Sequence, residues 1–445
     1  MSAVCHAAVA VVDRLPGSST HVMHASKSGL DPAAYEGISV YFNETNSEDI
    51  EDIKQYHQRG RSLDSSHSAS ISFTFKDEDV PAPGSRSVIS RAIQVPLANT
   101  LFQTGNQSTL STSKWVLQPG SSGFSCLEKS EPASLAINLP GQSTTAELAK
   151  TTYNVPIFAV TPPRELGAAM GNIIRQLIFD KSVPASEELE RALTEYFASQ
   201  KLPQQALSVW ALVIPRAVFS QLKEGQGPET SSDTIFQPAE PFKTGSDSWE
   251  PLQSSIIGTY IEAGAHMHRV LSGGGGWGQK RGLLSLDPHV SYNPEEEHSW
   301  SGQIEERFSE PKELAGVASP GDFIQFFVSP TNLSTPLPAN DPGDNSNLAG
   351  DSLQRHVVSS SLVFGTTFSA IDETPTTWTS EASQSGQSDL IVSPHFGALS
   401  QQGISLKIER VSTSVPRSES RVVCQTKLDV PCMRLNRVTY NRKGP

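Results

Sequence analysis

Cysteine is scarce: Cys5, Cys126, Cys424 and Cys432 are the four in 445 residues. They show neither a Cys-x-x-Cys pair nor zinc-finger spacing, which excludes a disulfide framework and a structural zinc module. A reducing compartment is the simplest setting. No apolar run approaches the roughly 18 residues of a membrane-spanning helix. The short apolar stretch Ala7 to Val12 has no cation before it and meets Asp13 early, so it reads as an edge strand and not as a secretory signal. The three Asn-x-Ser/Thr sequons, at Asn43, Asn106 and Asn332, are what chance gives in a Ser/Thr-rich chain. A soluble, intracellular protein is expected, cytoplasmic or mitochondrial, not evidently secreted. Catalytic signatures are lacking as well. There is no Gly-x-Ser-x-Gly elbow, no Cys/His pattern and no recognisable carboxylate pair, since the acids fall in runs. The sequence leaves any cofactor unidentified.

Positive charge is short overall. The net charge is −13, which makes DNA an unlikely partner for the surface as a whole. Its distribution is uneven. From Ile404 onward, Lys407, Arg410, Arg417, Arg421, Lys427, Arg434, Arg437, Arg442 and Lys443 face only Glu409, Glu419 and Asp429. That surplus of six leaves residues 1 to 403 at −19. A basic C-terminal segment on an acidic body marks either an anionic partner, a tail docked on the body, or solvated strand faces.

Hydrophobic residues make up 36% of the chain, and Ser, Thr, Gly and Pro are plentiful. This predicts folded β-rich units separated by disordered Ser/Pro/Gly-rich loops. The expected class is α+β, predominantly β-sheet, with one helical insertion at about 160–223. Residues 1–150 read as a β-rich N-terminal part, 151–223 as a mixed β-α unit and 251–445 as a β-rich C-terminal part. Segments 224–250 and 329–353 read as linker or disordered. Gly37 to Phe42 looks like a strand, and Glu48 to Gln58 is compatible with a short helix. Ser70 to Phe75 alternates as a half-buried strand does. Pro96, Pro156 and Pro431 each interrupt an apolar run and belong at strand ends or edges. Leu166, Ala169, Met170, Ile173, Ile174 and Leu177 recur at i, i+3, i+4, which predicts a helix after Thr161-Pro-Pro-Arg164. A second helix is expected over Ser186 to Gln200, a strand over Leu207 to Ile214 and a third helix over Pro215 to Lys223.

The most distinctive stretch runs from His266 to Asp287, entered by a strand-like apolar run, Ile256 to Val270. Gly273, Gly274, Gly275 and Gly276 precede Trp277, Gly278, Lys280 and Arg281. Successive backbone N–H groups in such a loop can cradle an anion. Arg269, Lys280 and Arg281 add charge, and Trp277 offers a face for stacking. A phosphate-binding Walker loop fails, because Gln279 stands where the lysine belongs. His266-x-His268 resembles the metal pair of cupins, with both rings on one strand face. The Glu that cupins place three or four residues later is replaced by Leu271 and Ser272. Thr161, Arg164 and Arg175 form a second anion-site candidate, at the start of the expected helix. These features suggest a non-catalytic binding or assembly protein. It would contact RNA or a ribonucleoprotein through Arg269 to Gly282 and the basic C-terminal segment. An enzyme acting on a phosphorylated or nucleotide substrate, a metal-dependent enzyme using His266 and His268, and a scaffold in a protein complex are the alternatives. The Gly-rich run also reads as a plain surface loop whose Trp covers the core.

Overall fold

The computed structural model describes residues 3–16, 34–42, 53–56, 69–82, 85–98, 110–139, 147–179, 181–224, 250–273, 282–292, 317–329, 356–367, 395–414 and 418–442. Strands dominate, and the class is α+β with β predominant. The apolar strand β15 (Val209–Ile214) is buried at every position. A strand buried on both faces reads as a continuous apolar run. Val209, Ala211 and Val213 face one core, and Trp210, Leu212 and Ile214 face another.

The first core fills a closed antiparallel barrel. Its six strands are β12 (Arg164–Met170), β13 (Ile173–Ile178), β17 (Leu284–Leu286), β16 (His266–Gly273), β15 and β18 (Phe323–Val328). Strand β18 pairs with both β12 and β15 and so closes the ring. Two short strands extend it, β11 (Phe158–Ala159) on β18 and β14 (Ser182–Pro184) on β13. Leu166, Ile174, Leu177, Leu284, Leu286, Ile324, Phe326 and Val328 pack with the inner residues of β15. The interior of so small a barrel is a core and not a channel. Helix α1 (Ala185–Gln200) contributes Ala185 and Leu189 to the same cluster.

The second core lies against the outer face of β15. A six-stranded sheet runs in the order β22 (Ser418–Leu428), β21 (Ile404–Ser414), β6 (Ser85–Pro96), β5 (Ser70–Ala82), β9 (Ser134–Asn138) and β4 (Ile53–Tyr56). A four-stranded sheet runs β10 (Glu147–Asn154), β23 (Arg434–Arg442), β19 (His356–Thr366) and β20 (Phe396–Ser400). Alternation sends Ile71, Phe73, Phe75, Ile93, Leu406 and Ile408 of the larger sheet inward. Leu362, Phe364 and Leu435 of the smaller sheet meet them. Helix α2 (Arg216–Glu224) and helix α3 (Glu250–Ala263) pack on this core through Phe219 and Leu222, and through Ile257, Tyr260 and Ile261. A three-stranded sheet of β1 (Ala3–Val9), β7 (Ser111–Leu117) and β8 (Phe124–Ser130), and the pair β2 (Leu15–Pro16) and β3 (Ala34–Tyr35), complete the described elements. The three sequence segments are interleaved, for β6 pairs with β21 and β10 with β23.

Several expected elements differ, the strand over Gly37 to Phe42 among them, which is not formed. The helix predicted over Leu166 to Leu177 is the hairpin β12–β13. Gly171, at φ 62°, begins its turn, and Asn172 donates to the Leu286 carbonyl at 2.9 Å. Register shifts at Leu166/Ala168 and Ala168/Ala169 break the two-residue period and mimic a helical one. The strand-like run from Ile256 is helix α3 as far as Ala263, and only His266 onward is strand. The stretch compatible with a short helix, Glu48 to Gln58, coincides in part with strand β4.

Charges are buried where the two sheets and α3 meet. Arg437 donates to Asp77 Oδ1 at 2.7 and 3.1 Å, and its guanidinium lies over the Phe75 ring at 4.8 Å. Arg91 donates to Asp77 Oδ2 at 2.8 Å and bidentately to Glu262 at 2.9 and 3.0 Å. Tyr153 donates its hydroxyl to the same Glu262, and burial holds that phenol well above its ordinary range. Removing one member of a buried pair strands the other, at a cost of about 3–5 kcal/mol. Arg437→Ala should lower stability by that order in urea unfolding, whereas Arg421→Ala, which breaks the more exposed pair with Glu409, should change it by less than ~1 kcal/mol. Equal effects would contradict the assignment.

Candidate functional site

The Gly-rich stretch leaves and re-enters the barrel on a paired stem. Strand β16 carries it out and β17 brings it back, with Gly273 opposite Leu284. A Cβ at Gly273 would run into the end of the Leu284 side chain, which a larger residue there would have to displace. The carbonyl of Gly282 accepts the Ser186 N–H at 3.3 Å, which ties the returning arm to the first turn of α1. Gly274, Gly275, Gly276, Trp277, Gly278, Lys280 and Arg281 lie outside the described residues.

Arg269 stands at the base of the stem. It donates to Ser208 Oγ at 2.9 Å and lies 6.0 Å from the Trp210 ring, on the outer face of the barrel. Its carbonyl accepts the Asp287 N–H at 2.8 Å. Around it gather residues that do not stand out in the sequence. Lys427 donates to Asp287 Oδ2 at 2.7 Å and sits over the Tyr292 ring at 4.7 Å. Asp287 Oδ1 also accepts the His289 N–H at 3.1 Å. Asp429 accepts the Trp210 indole N–H at 2.8 Å. The two carboxylates are tuned apart. Burial raises Asp429, against the pull of Lys427 and the indole. Burial also pushes Asp287 upward, but the Lys427 hydrogen bond and charge outweigh it and hold the group below its ordinary value. Each acid directly follows the last residue of a strand, Asp287 after Leu284–Leu286 and Asp429 after Ser418–Leu428. That placement is the sequence signal for them, and it corrects the expectation that all acids lie in runs.

His266 and His268 share a face, opposite Val213 and Ala211. Ala211 and Val213 line the barrel core, so His268 is an interior residue, 3% exposed. Its Nδ1 meets the Asp287 carbonyl at 2.9 Å, and that of His266 meets the Gln425 carbonyl at 2.9 Å. A carbonyl can only accept, so both rings carry their proton on Nδ1. The ring centroids are 6.3 Å apart. Among the described residues no group of three or more His, Cys, Asp or Glu is arranged to hold a metal ion. Burial lowers His266 and drives His268 down to about 4 from 6.5.

The second anion-site candidate loses the helix it was built on. Thr161 is buried, its Oγ1 accepting the Phe326 N–H at 3.0 Å and its carbonyl accepting Gln325 Nε2 at 2.9 Å. Arg164 pairs with Glu188 at 3.5 Å and stacks on Phe179 at 3.9 Å. Arg175 is exposed on β13. Among the described residues no helix N-terminus gathers the three.

The basic C-terminal segment is woven into both sheets as β21, β22 and β23. Arg437 is neutralised by Asp77 and Lys427 by Asp287. Arg421 pairs with Glu409 at 2.8 Å, and Arg410 lies 3.8 Å from Glu262. Arg434 donates to the carbonyls of Thr366 and Met433 at 2.6 and 3.0 Å. Lys407 is half-buried on β21. Arg417, the Arg442 side chain and Lys443 fall outside the described residues.

Among the described residues no helix is long and apolar enough to cross a membrane. None of the family models, curated proteins and solved structures compared with the chain matches it.

The state of His268 has a measurable consequence. Its folded-state value lies below the unfolded one, so the unfolded chain binds the extra proton. The stability is complete above pH 6.5 and is lost as pH falls from 6.5 toward 4. The loss is on the order of 3 kcal/mol at one unit per ~1.4 kcal/mol. Urea midpoints at pH 7, 5 and 4 should fall more steeply in the native protein than in His268→Gln. Parallel curves would contradict a neutral, buried His268.

Proposed function

We propose that this is a non-catalytic binding or assembly protein. Its Gly-rich stem would meet an anionic partner, an RNA or ribonucleoprotein before any other. The supporting observation is the stem itself. Residues 274 to 281 are tethered between two strands of a filled barrel, paired at Gly273 and Leu284. Trp277, Lys280 and Arg281 are carried between those fixed ends, and a partner would be met at the rim because the interior is occupied by side chains. Cations position phosphates and an indole stacks a base. The C-terminal cations add less than their number suggests, since five of the nine already have acids or carbonyls as partners. The acidic body would suppress indiscriminate binding, DNA included. Four unbridged cysteines accord with an intracellular, reducing setting.

Lys280→Ala with Arg281→Ala should weaken binding of a single-stranded RNA and reduce the salt slope by about 1.4, at ~0.7 for each phosphate no longer neutralised. An unchanged slope would remove these residues from the interface. A second reading, an enzyme acting on a phosphorylated substrate at the same stem, is favoured by Asp287 and Asp429, whose environments push them in opposite directions. Under it, Asp429→Asn would abolish turnover of a phosphorylated substrate while leaving its binding intact. Under the binding reading, that variant leaves RNA affinity unchanged.

A further inference from the structure

We infer that residues 36 to 42, Glu-Gly-Ile-Ser-Val-Tyr-Phe, are a docking strand for another protein, one that offers an open sheet edge beside an apolar groove with a basic rim. The segment is held from one side only. Ser39 Oγ accepts the Gly397 N–H at 3.0 Å, and the Tyr41 ring packs edge-on against Phe396 with centroids 5.7 Å apart. The intervening positions point away. Ile38 is 90% exposed, Val40 57% and Phe42 91%. Three large apolar side chains in strict alternation on one short segment are not scattered surface residues. The sequence alone predicts a strand here, yet among the described residues no backbone N–H or carbonyl of 36 to 42 is paired with another backbone group. The segment thus has a strand's pattern, an anchored face, and main-chain donors and acceptors with no backbone partner among the described residues.

Its occupant follows from what is left unsatisfied. Unpaired backbone groups require a strand edge, and apolar residues at every second position require a groove beside it. Immediately after Phe42 the sequence carries Glu44, Glu48, Asp49, Glu51 and Asp52 with no cation among them. That sequence charge favours a partner with a basic rim. A lipid surface offers no backbone partners, and an anionic bilayer would repel the acids. A second copy of the chain would bring one acidic run against another.

The test uses a disulfide-closed β-hairpin peptide with valines on one face and lysines on the other, titrated into the full chain. Binding is expected, weakened by tenfold or more in the Ile38→Ser/Phe42→Ser double variant, since burying each of these side chains is worth about a factor of ten. Both side chains are exposed, so an unchanged thermal midpoint confirms that the variant folds. The inference is overturned if the hairpin does not bind, or if it binds the variant as well as the native chain. It is overturned equally if a hairpin with threonine in place of valine binds the same. Binding to vesicles of phosphatidylcholine and phosphatidylserine that depends on Ile38 and Phe42 would replace the protein partner with a lipid surface. Dimerisation that depends on the same residues would replace it with a second copy.

Discussion

Two carboxylates, the buried Asp77 on β5 and the half-buried Glu262 on α3, fix how the sheets and the helix meet. Arg91 of the larger sheet joins both, Arg437 of the smaller sheet is held by Asp77, and Tyr153 of β10 closes onto Glu262. Apolar burial supplies the driving force, but it is non-directional and would tolerate more than one packing. The ionic cluster admits only one. Sliding β5 by a residue turns Asp77 to the opposite face and leaves two guanidiniums in a low-dielectric core. With that register set, the sheets present a fixed apolar surface to Trp210, Leu212 and Ile214, and the barrel is seated through β15.

Much of the strand content is legible because half-buried strands alternate and doubly buried ones run apolar. Phe323 to Val328 is a strand over the bounds its composition suggests, and Pro96 ends β6, whereas Pro431 lies in the turn between β22 and β23. Ser186 to Gln200 is helical because Leu189, Ala192 and Phe197 share a buried face. The misreadings have local causes. In β12 the register shifts impose a helical spacing on a hairpin, and the Gly171-Asn172 turn is the signal that opposes it. In α3 the isoleucines suggest a strand, but Ile257, Tyr260 and Ile261 lie at i, i+3, i+4 and face the core, so tertiary burial overrides β-propensity.

The site is legible only in its local part. Glycine, tryptophan and cations in one run mark the stem from sequence alone. The surrounding cluster is invisible there, because Asp287 and Lys427 lie 140 positions apart and meet only when β22 folds beside β16. The C-terminal cations mislead for the same reason. Their counter-charges, Asp77, Glu262 and Asp287, come from distant strands and a helix, so a local charge count registers a surplus that folding removes. The histidine pair is placed on one strand as alternation requires, but His268 is an interior residue of the barrel and His266 is held by the Gln425 carbonyl of β22.

Under the proposed function, the stem paired at Gly273 and Leu284 would meet its partner at one rim of the barrel. The most direct measurement is the native mass of the protein purified from its own cells, set against its denatured mass, with and without ribonuclease. The account predicts a surplus of kilodaltons that ribonuclease removes. A surplus of hundreds of daltons, a surplus resistant to ribonuclease, or none at all would contradict it.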